Sequence, residues 1–322
     1  MDDRASRLLR KRLYLGLGLS LAYAAVLYLL IWQGNGGMLF ISGLIFMPMA
    51  IASVFSAVAD PLGRTSIGTH LKWALIGIAV LLVLSIIVFR EGGICVAMAA
   101  PFFFAGAALG SCLTVAFLRK RALRHTPPLM ILAPLLLAPF EPHLDYRMVD
   151  EQVVSIIEID APRADVWAQT VEIRDIRKPE LKPTFSHNVV GVPTPVNARM
   201  EGQRVGAVRH LRWTKGVRFE EVVTAWDQDR RLAWDFRFGP DSIPDAVEAH
   251  IDVDSSYLKL ARGDYVLEDL PNNRTRLTLT TRYRMATPIN AYCALWGKIF
   301  LNDFHSTVLK VIKDRSEAQV RV

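Results

Sequence analysis

Acidic side chains are almost missing from the first 149 residues, where six Asp and Glu stand against 13 Lys and Arg. From residue 150 onward each sign has 25, so the whole net charge of +7 belongs to the first half. A nucleic-acid surface would concentrate its positive charge on a folded polar domain. Here the polar half is neutral, which excludes nucleic acid as a partner. Cysteine is also scarce: three residues build neither a disulfide framework nor a Cys-based zinc ribbon. Charged residues make up 21% of the chain against 52% hydrophobic, with a mean hydropathy of +0.25. That balance excludes a disordered or fibrous chain. The chain has no glycine-rich phosphate loop, no HExxH, no GxSxG and no paired-cysteine motif, and its seven histidines are scattered. Neither a metal nor a cofactor is expected.

Long uncharged runs are what the first half does have. Leu13–Trp32, Met38–Ala59, Trp73–Phe89 and Gly92–Leu118 carry no Asp, Glu, Lys or Arg. About 20 such residues cross a bilayer core as a helix. A cleavable signal peptide explains the first run poorly, because three more follow. The flanks set an orientation. Arg4, Arg7, Arg10, Lys11 and Arg12 precede the first run; Arg64 and Lys72 lie between the second and third; Arg119, Lys120, Arg121 and Arg124 follow the fourth. This alternation puts the N-terminus and residues 119–126 in the cytoplasm. Leu129–Phe140 is a shorter apolar segment interrupted by Pro134 and Pro139. Its length suits an interfacial or re-entrant piece. The Pro127-Pro128 helix start and the acidic flank of Glu141 and Asp145 tip the reading toward a fifth crossing, which places the C-terminal domain outside the cytoplasm. Pro48 and Pro101 are expected to kink their helices. Gly106 and Gly110 form a small-xxx-small pair, which lets helices approach closely but also arises by chance. No span carries a charge, so the membrane part reads as an anchor without an ion pathway.

The composition changes near residue 149. Val153–Ile159 predicts a strand, and Ala164–Val171 a short helix after the Ala161-Pro162 break. Residues 176–197 read as a proline-rich loop with a strand near Val189–Val192. Further strands are expected at Val205–Trp213, Arg218–Trp226, Leu232–Phe238, Ala249–Val253, Ala261–Leu267 and Arg274–Tyr283, with turn residues between them. Apolar residues from Ile289 through Trp296, Phe300 and Phe304 to Ile312 recur at three- and four-residue steps, which predicts one long helix over 288–316. An antiparallel sheet curved around that helix buries both. The expected organisation is a four-helix membrane domain over 1–126, a short apolar segment and linker over 127–148, an α+β domain over 149–317, and a tail over 318–322.

The segment Ser155-Ile-Ile-Glu-Ile-Asp-Ala-Pro-Arg-Ala-Asp-Val-Trp167 resembles the opening of the START-like superfamily (SRPBCC, polyketide cyclase/dehydrase and lipid transport). The resemblance continues through Gly202–Trp213, Thr224-Ala-Trp226, Gly263–Glu268, Arg274–Leu277 and the helix Asn290–Arg315. It covers about residues 150–317 and none of the first 149. It implies a helix-grip fold, in which a seven-stranded sheet grips the C-terminal helix with a cavity between them. It implies no single activity, since members bind lipids, sterols or polyketides and some are enzymes.

One charged constellation stands out. A two-residue Lys215-Gly216 hairpin loop would place Arg209 opposite Val222 and diagonal to Glu220, with His210 opposite Glu221. Arg209 shares its face with Leu211, Trp213, Val222 and Trp226, so Arg209 and Glu220 would form a charged pair in an apolar wall. Such a pair serves as an anchor for a polar head group, as an acid–base element, or as a structural ion pair. His305 falls off the apolar stripe and is expected at the surface, and Asp303, at the stripe's boundary, is expected in a solvated position. The candidate ligand-binding residues are Arg209, Trp213, Glu220, Trp226, Trp234, Phe236, Phe238, Tyr283, Trp296 and Phe300. No catalytic residue is assigned. The favoured function is binding of an apolar small molecule or lipid next to the bilayer, without catalysis. The alternatives are a cyclase- or hydrolase-like enzyme using the same polar groups, and an interaction domain with a filled core.

Overall fold

In the computed structural model, residues 3–32, 40–88, 91–120, 127–245, 247 and 252–320 are described. The chain forms two compact units, residues 1–91 with 96–145, and residues 92–95 with 146–322.

The first unit is helical: α1 Asp3–Trp32, α2 Met47–Ala59, α3 Ile67–Val88, α4 Gly93–Arg119 and α5 Pro127–Leu137. A π-helical turn, Phe40–Phe46, runs directly into α2. Four of these segments, of 20, 20, 22 and 27 residues, are long and apolar enough to cross a membrane. Pro48 lies inside the continuous helical segment Phe40–Ala59, two residues after the π-helical turn ends. Pro101 lies inside α4. α5 has 11 residues, about 17 Å of helix against a core of ~30 Å. Glu141, just after α5, is buried because its carboxylate accepts from the backbone N–H groups of Ile41 (2.5 Å) and Ser42 (2.8 Å). It thereby satisfies orphan donors at the start of the second long apolar helical segment.

Gly106 and Gly110 are a true close-approach pair. A Cβ on Gly110 would lie 2.3 Å from the Met49 carbonyl oxygen, and one on Gly106 2.8 Å from Pro48 Cγ. The same contact carries Ser56 Oγ–Ser111 Oγ at 3.0 Å. Gly110→Leu should therefore destabilise this unit by about 1–3 kcal/mol through overpacking. Gly18→Leu should be neutral, since a Cβ there meets nothing within 4 Å. Thermal melts of both variants in one detergent check this; equal melting temperatures would remove the helix contact.

The second unit holds a seven-stranded antiparallel sheet in the order β1-β7-β6-β5-β4-β3-β2. The strands are β1 Val149–Ile159, β2 Pro195–Glu201, β3 Val208–Trp213, β4 Arg218–Asp227, β5 Arg231–Arg237, β6 Leu258–Leu270 and β7 Arg274–Met285. Helix α6, Arg163–Val171, follows β1, and the 31-residue α7, Asn290–Val320, closes the chain. Alternate residues of the strands face inward: Leu277 and Leu279 on β7, Tyr265 and Leu267 on β6, Leu232 and Trp234 on β5. They pack with Val166 and Trp167 of α6 and with Leu309, Val311 and Ile312 of α7. This is the helix-grip arrangement that the resemblance implied.

Two expected strands differ from the observed elements. The strand near Val189–Val192 is instead a π-helical turn, Phe185–Val190, ended by Gly191 in the left-handed region. The strand of this stretch is β2, which begins at Pro195. Proline is tolerated there because it is the first residue of an edge strand, so its missing N–H interrupts no ladder. Of the expected strand Ala249–Val253, residues 249–251 lie outside the described residues, and Asp252 and Val253 are not in a strand.

Candidate functional site

The β3–β4 hairpin decides which charges meet inside the sheet. Its loop is three residues, Thr214-Lys215-Gly216, closed by the Trp213 N–H donating to Val217 O at 2.8 Å. Lys215 (φ 58°) and Gly216 (φ 83°) take left-handed conformations. Thr214 leaves the ladder because Thr194, at the edge of β2, holds it: the Thr214 N–H donates to Thr194 O (2.8 Å), and its Oγ1 accepts from Thr194 N–H (2.9 Å). The register therefore moves by one residue, and Arg209 pairs directly with Glu221.

The correction concerns Glu220. It lies on the opposite face, where it bonds Arg237 (2.6 Å) and approaches His210 (3.3 Å). Its place in the apolar wall is taken by Glu221. Arg209 and Glu221 are 3% and 4% exposed, and Arg209 Nη1 stands 3.3 Å from Glu221 Oε2. The guanidinium lies over two rings, with Cζ 5.7 Å from the centroid of Trp234 and 5.8 Å from that of Tyr265. Both are within cation–π reach. Arg209 Nε and Nη1, Glu221 Oε2 and Trp234 Nε1 are buried without a hydrogen-bond partner. Burial opposes the Arg209 charge, but Glu221 and Tyr265 outweigh it and hold its pKa above the usual value. For Glu221 burial wins over the pull of Arg209 and pushes its pKa up to about 7. A carboxyl poised there exchanges protons near neutrality.

A continuous chain of rings leads away from this pair. Trp234 meets Tyr265 (5.1 Å) and Phe236 (6.1 Å). Phe219 touches Phe236 (6.2 Å) and stacks on Phe238 (5.2 Å). Trp213 meets Phe219 (6.1 Å) and the α7 residue Phe304 (5.2 Å, edge to face). Trp296 and Phe300 stack on each other at 5.4 Å further toward the start of α7. Two candidates stand apart from this chain. Trp226 packs edge to face on Trp167 at 5.2 Å, in the core under α6. Tyr283 joins Val153, Met285 and Cys293 in a separate cluster. Sequence reasoning misses Tyr265, Phe219, Phe304 and Glu221. The first three follow from strand and helix parity once the register is known, and Glu221 from the hairpin loop length.

His305 is a second correction: it is 3% exposed. Leu301 and Leu309 bracket it at one turn either side, so the helix face that meets the sheet includes it. Its ring nitrogens meet Thr281 Oγ1 (2.8 Å) and Ser155 Oγ (3.0 Å), tying α7 to β7 and β1. Burial lowers its pKa to about 4. Asp303 is not left to solvent either, because its carboxylate accepts from Ser186 N–H (2.8 Å) and Ser186 Oγ (2.6 Å). Among the described residues there is no cluster suited to hold a metal ion.

No protein-family model and no curated protein matches the chain. Solved structures do match its C-terminal half. A protein from Nitrosospira multiformis is 18% identical over 53% of this chain and all of its own, with a TM-score of 0.33. The Zhui aromatase/cyclase from Streptomyces sp. R1128 is 14% identical over 54% of this chain and 98% of its own, at 0.35. Truncated norcoclaurine synthase from Thalictrum flavum is 12% identical over 54% and 94%, at 0.33.

Proposed function

We propose that the helix-grip unit binds an apolar small molecule or lipid carrying one polar group, and that the N-terminal helices hold it at a membrane. The observation that supports this reading is the Arg209–Glu221 pair, nine-tenths buried, with Arg209 Nε without a hydrogen-bond partner and Nη1 and Oε2 meeting only each other as an ion pair at 3.3 Å, at one end of a wall of aromatic rings. A purely structural pair saturates its hydrogen bonds, because unsatisfied buried polar groups cost about 1–3 kcal/mol each. A ligand's polar group would complete this one, while Trp213, Phe219, Phe236 and Phe238 take its apolar body. Tethering raises the local concentration of a bilayer-soluble ligand. The basic flanks support a cytoplasmic N-terminus. The side that carries the helix-grip unit follows from whether the short α5 crosses, which reporter fusions after residues 126 and 148 decide.

Mass spectrometry of small molecules that co-purify with the full chain names the ligand. With that ligand, Arg209→Met should weaken binding by about 1.5–3 kcal/mol, the range for a hydrogen bond to a charged group. Equal dissociation constants for the two proteins would remove Arg209 from the site. A second reading has its own observation. Glu221, with its pKa pushed up to about 7, suits general acid–base work. Turnover of the bound ligand that disappears in Glu221→Gln would make the unit an enzyme.

A further inference from the structure

Granted the binding reading above, we propose that the polar group held in the interior is a carboxylate: it takes Arg209 from Glu221, and Glu221 takes up a proton from solvent. Glu221 serves Arg209 poorly. The two are direct partners across β3 and β4, and their side chains meet at a single nitrogen, Nη1, 3.3 Å from Oε2. A charge-assisted bond between such groups is about 2.7–2.9 Å long, and a carboxylate lying in the guanidinium plane makes two of them. Arg209 Nε has no acceptor. The surroundings hold the guanidinium without neutralising it. It lies over the rings of Trp234 and Tyr265, which favour a cation. The Trp234 ring lies across β6 because its ladder partner there is Gly263, where a Cβ would come within 2.4 Å of the ring. Its Nε1 is a further buried donor without a partner, and an indole N–H cannot accept.

Charge selects the class of ligand. Burial pushes the Glu221 pKa up to about 7, so near neutrality about half of the molecules hold a protonated Glu221 beside a charged Arg209. A buried cation without a counter-ion is costly. An alcohol or ester would bond Nε and leave that charge uncompensated, and an ammonium group would be repelled. A carboxylate supplies the charge and two in-plane oxygens, and the protonated Glu221 becomes a donor to it. Other titratable groups lie on the elements packed around the pair. Burial raises the Tyr265 pKa, so its phenol stays neutral. On α7, His305 is bonded to Thr281 and Ser155, and Asp303 to Ser186. On the π-helical turn, His187 Nδ1 meets Val192 O at 3.1 Å. Of this set, Glu221 carries the titration near pH 7.

Titrations of the full chain in a neutral detergent test this with two acids, decanoate and 2-naphthoate, and their neutral counterparts, 1-decanol and 2-naphthalenemethanol. The acid that binds tells whether the apolar body is a chain or a ring system. At pH 7 it should bind about tenfold tighter than its alcohol, or more, and Arg209→Met should abolish that preference. Raising the pH from 7 to 9 should weaken its binding to the wild-type chain about tenfold or more, because Glu221 must then recover its proton. Glu221→Gln, which has the shape of the protonated acid, should bind it equally well at both pH values. That variant reports on the site even if Arg209→Met fails to fold. Equal binding of acid and alcohol, a wild-type constant unchanged between pH 7 and 9, or a pH dependence retained in Glu221→Gln would each overturn the carboxylate and leave the binding reading standing. Binding of none of the four probes would overturn both.

Discussion

Glu221→Gln should stabilise the C-terminal unit at pH 7 by about 3 kcal/mol. The sign follows from linkage. The folded pKa of Glu221 is raised from 4.5 to about 7. The folded state therefore holds a proton that the unfolded chain has released, and folding loses stability as pH rises from 4.5 through 7. A pKa displaced by one pH unit between the two states corresponds to about 1.36 kcal/mol. Glutamine has the shape of the protonated acid and never ionises, so it escapes this loss. The gain should vanish below pH 4.5, where both folded and unfolded chains carry the protonated carboxyl. The opposite outcome has an equally clear meaning. If Arg209–Glu221 were a well-satisfied structural bridge, removing one partner would cost about 3–5 kcal/mol. Urea melts of residues 146–322 and of the full chain in detergent, at pH 4.5 and 7, distinguish the two. A residue whose replacement raises stability is one kept for another reason, as functional groups often are.

The apolar helical half is legible because its signal is one-dimensional. Four uncharged runs announce four helices whatever their neighbours do. The small-xxx-small pair Gly106 and Gly110 is visible too, but only the 2.3 Å approach to Met49 O shows that it is a contact. In the second unit the order of elements is legible, since period-2 strands and one long stripe survive any error in register. The charged pair is not. Its identity depends on whether Thr214 belongs to β3 or to the loop. That is settled by Thr194, twenty residues away, whose backbone captures the Thr214 N–H and Oγ1. One residue of slip exchanges the faces of Glu220 and Glu221. The same non-local logic hides β2. Prolines at 193 and 195 argue for a loop unless the strand is known to lie at an edge. His305 is hard to place for a simpler reason: a stripe drawn through apolar residues passes it by, and a buried histidine satisfied by Ser155 and Thr281 breaks that pattern without leaving the face.

His305 and Glu221 also predict a flat pH profile that conceals two steep ones. Burial lowers the His305 pKa from 6.5 to about 4. A depressed histidine stays neutral in the fold, while the unfolded chain takes up a proton. Its contribution is complete above pH 6.5 and is lost as pH falls toward 4. Between pH 7.5 and 4.5 that loss is about 2–3 kcal/mol. Glu221 works in the other direction over nearly the same window, gaining about 3 kcal/mol as pH falls from 7.5 to 4.5. The two slopes nearly cancel in the wild-type chain. The half-buried His187, also lowered by burial, adds to the histidine side. Glu180, held at about 2 by Arg315, acts only below pH 4.5 and leaves this window untouched. Single variants expose each slope. In Glu221→Gln, stability should fall by about 2–3 kcal/mol from pH 7.5 to 4.5. In His305→Gln it should rise by about 3 kcal/mol over the same interval, less what His187 takes back. Glutamine there keeps a hydrogen-bonding group for Ser155 and Thr281, so the slope can be read even if overall stability drops. Parallel profiles for wild type and both variants in urea titrations would mean that neither group is held away from its ordinary pKa. The helix-to-sheet tie at His305 and the buried pair at Arg209 would then both be open to water.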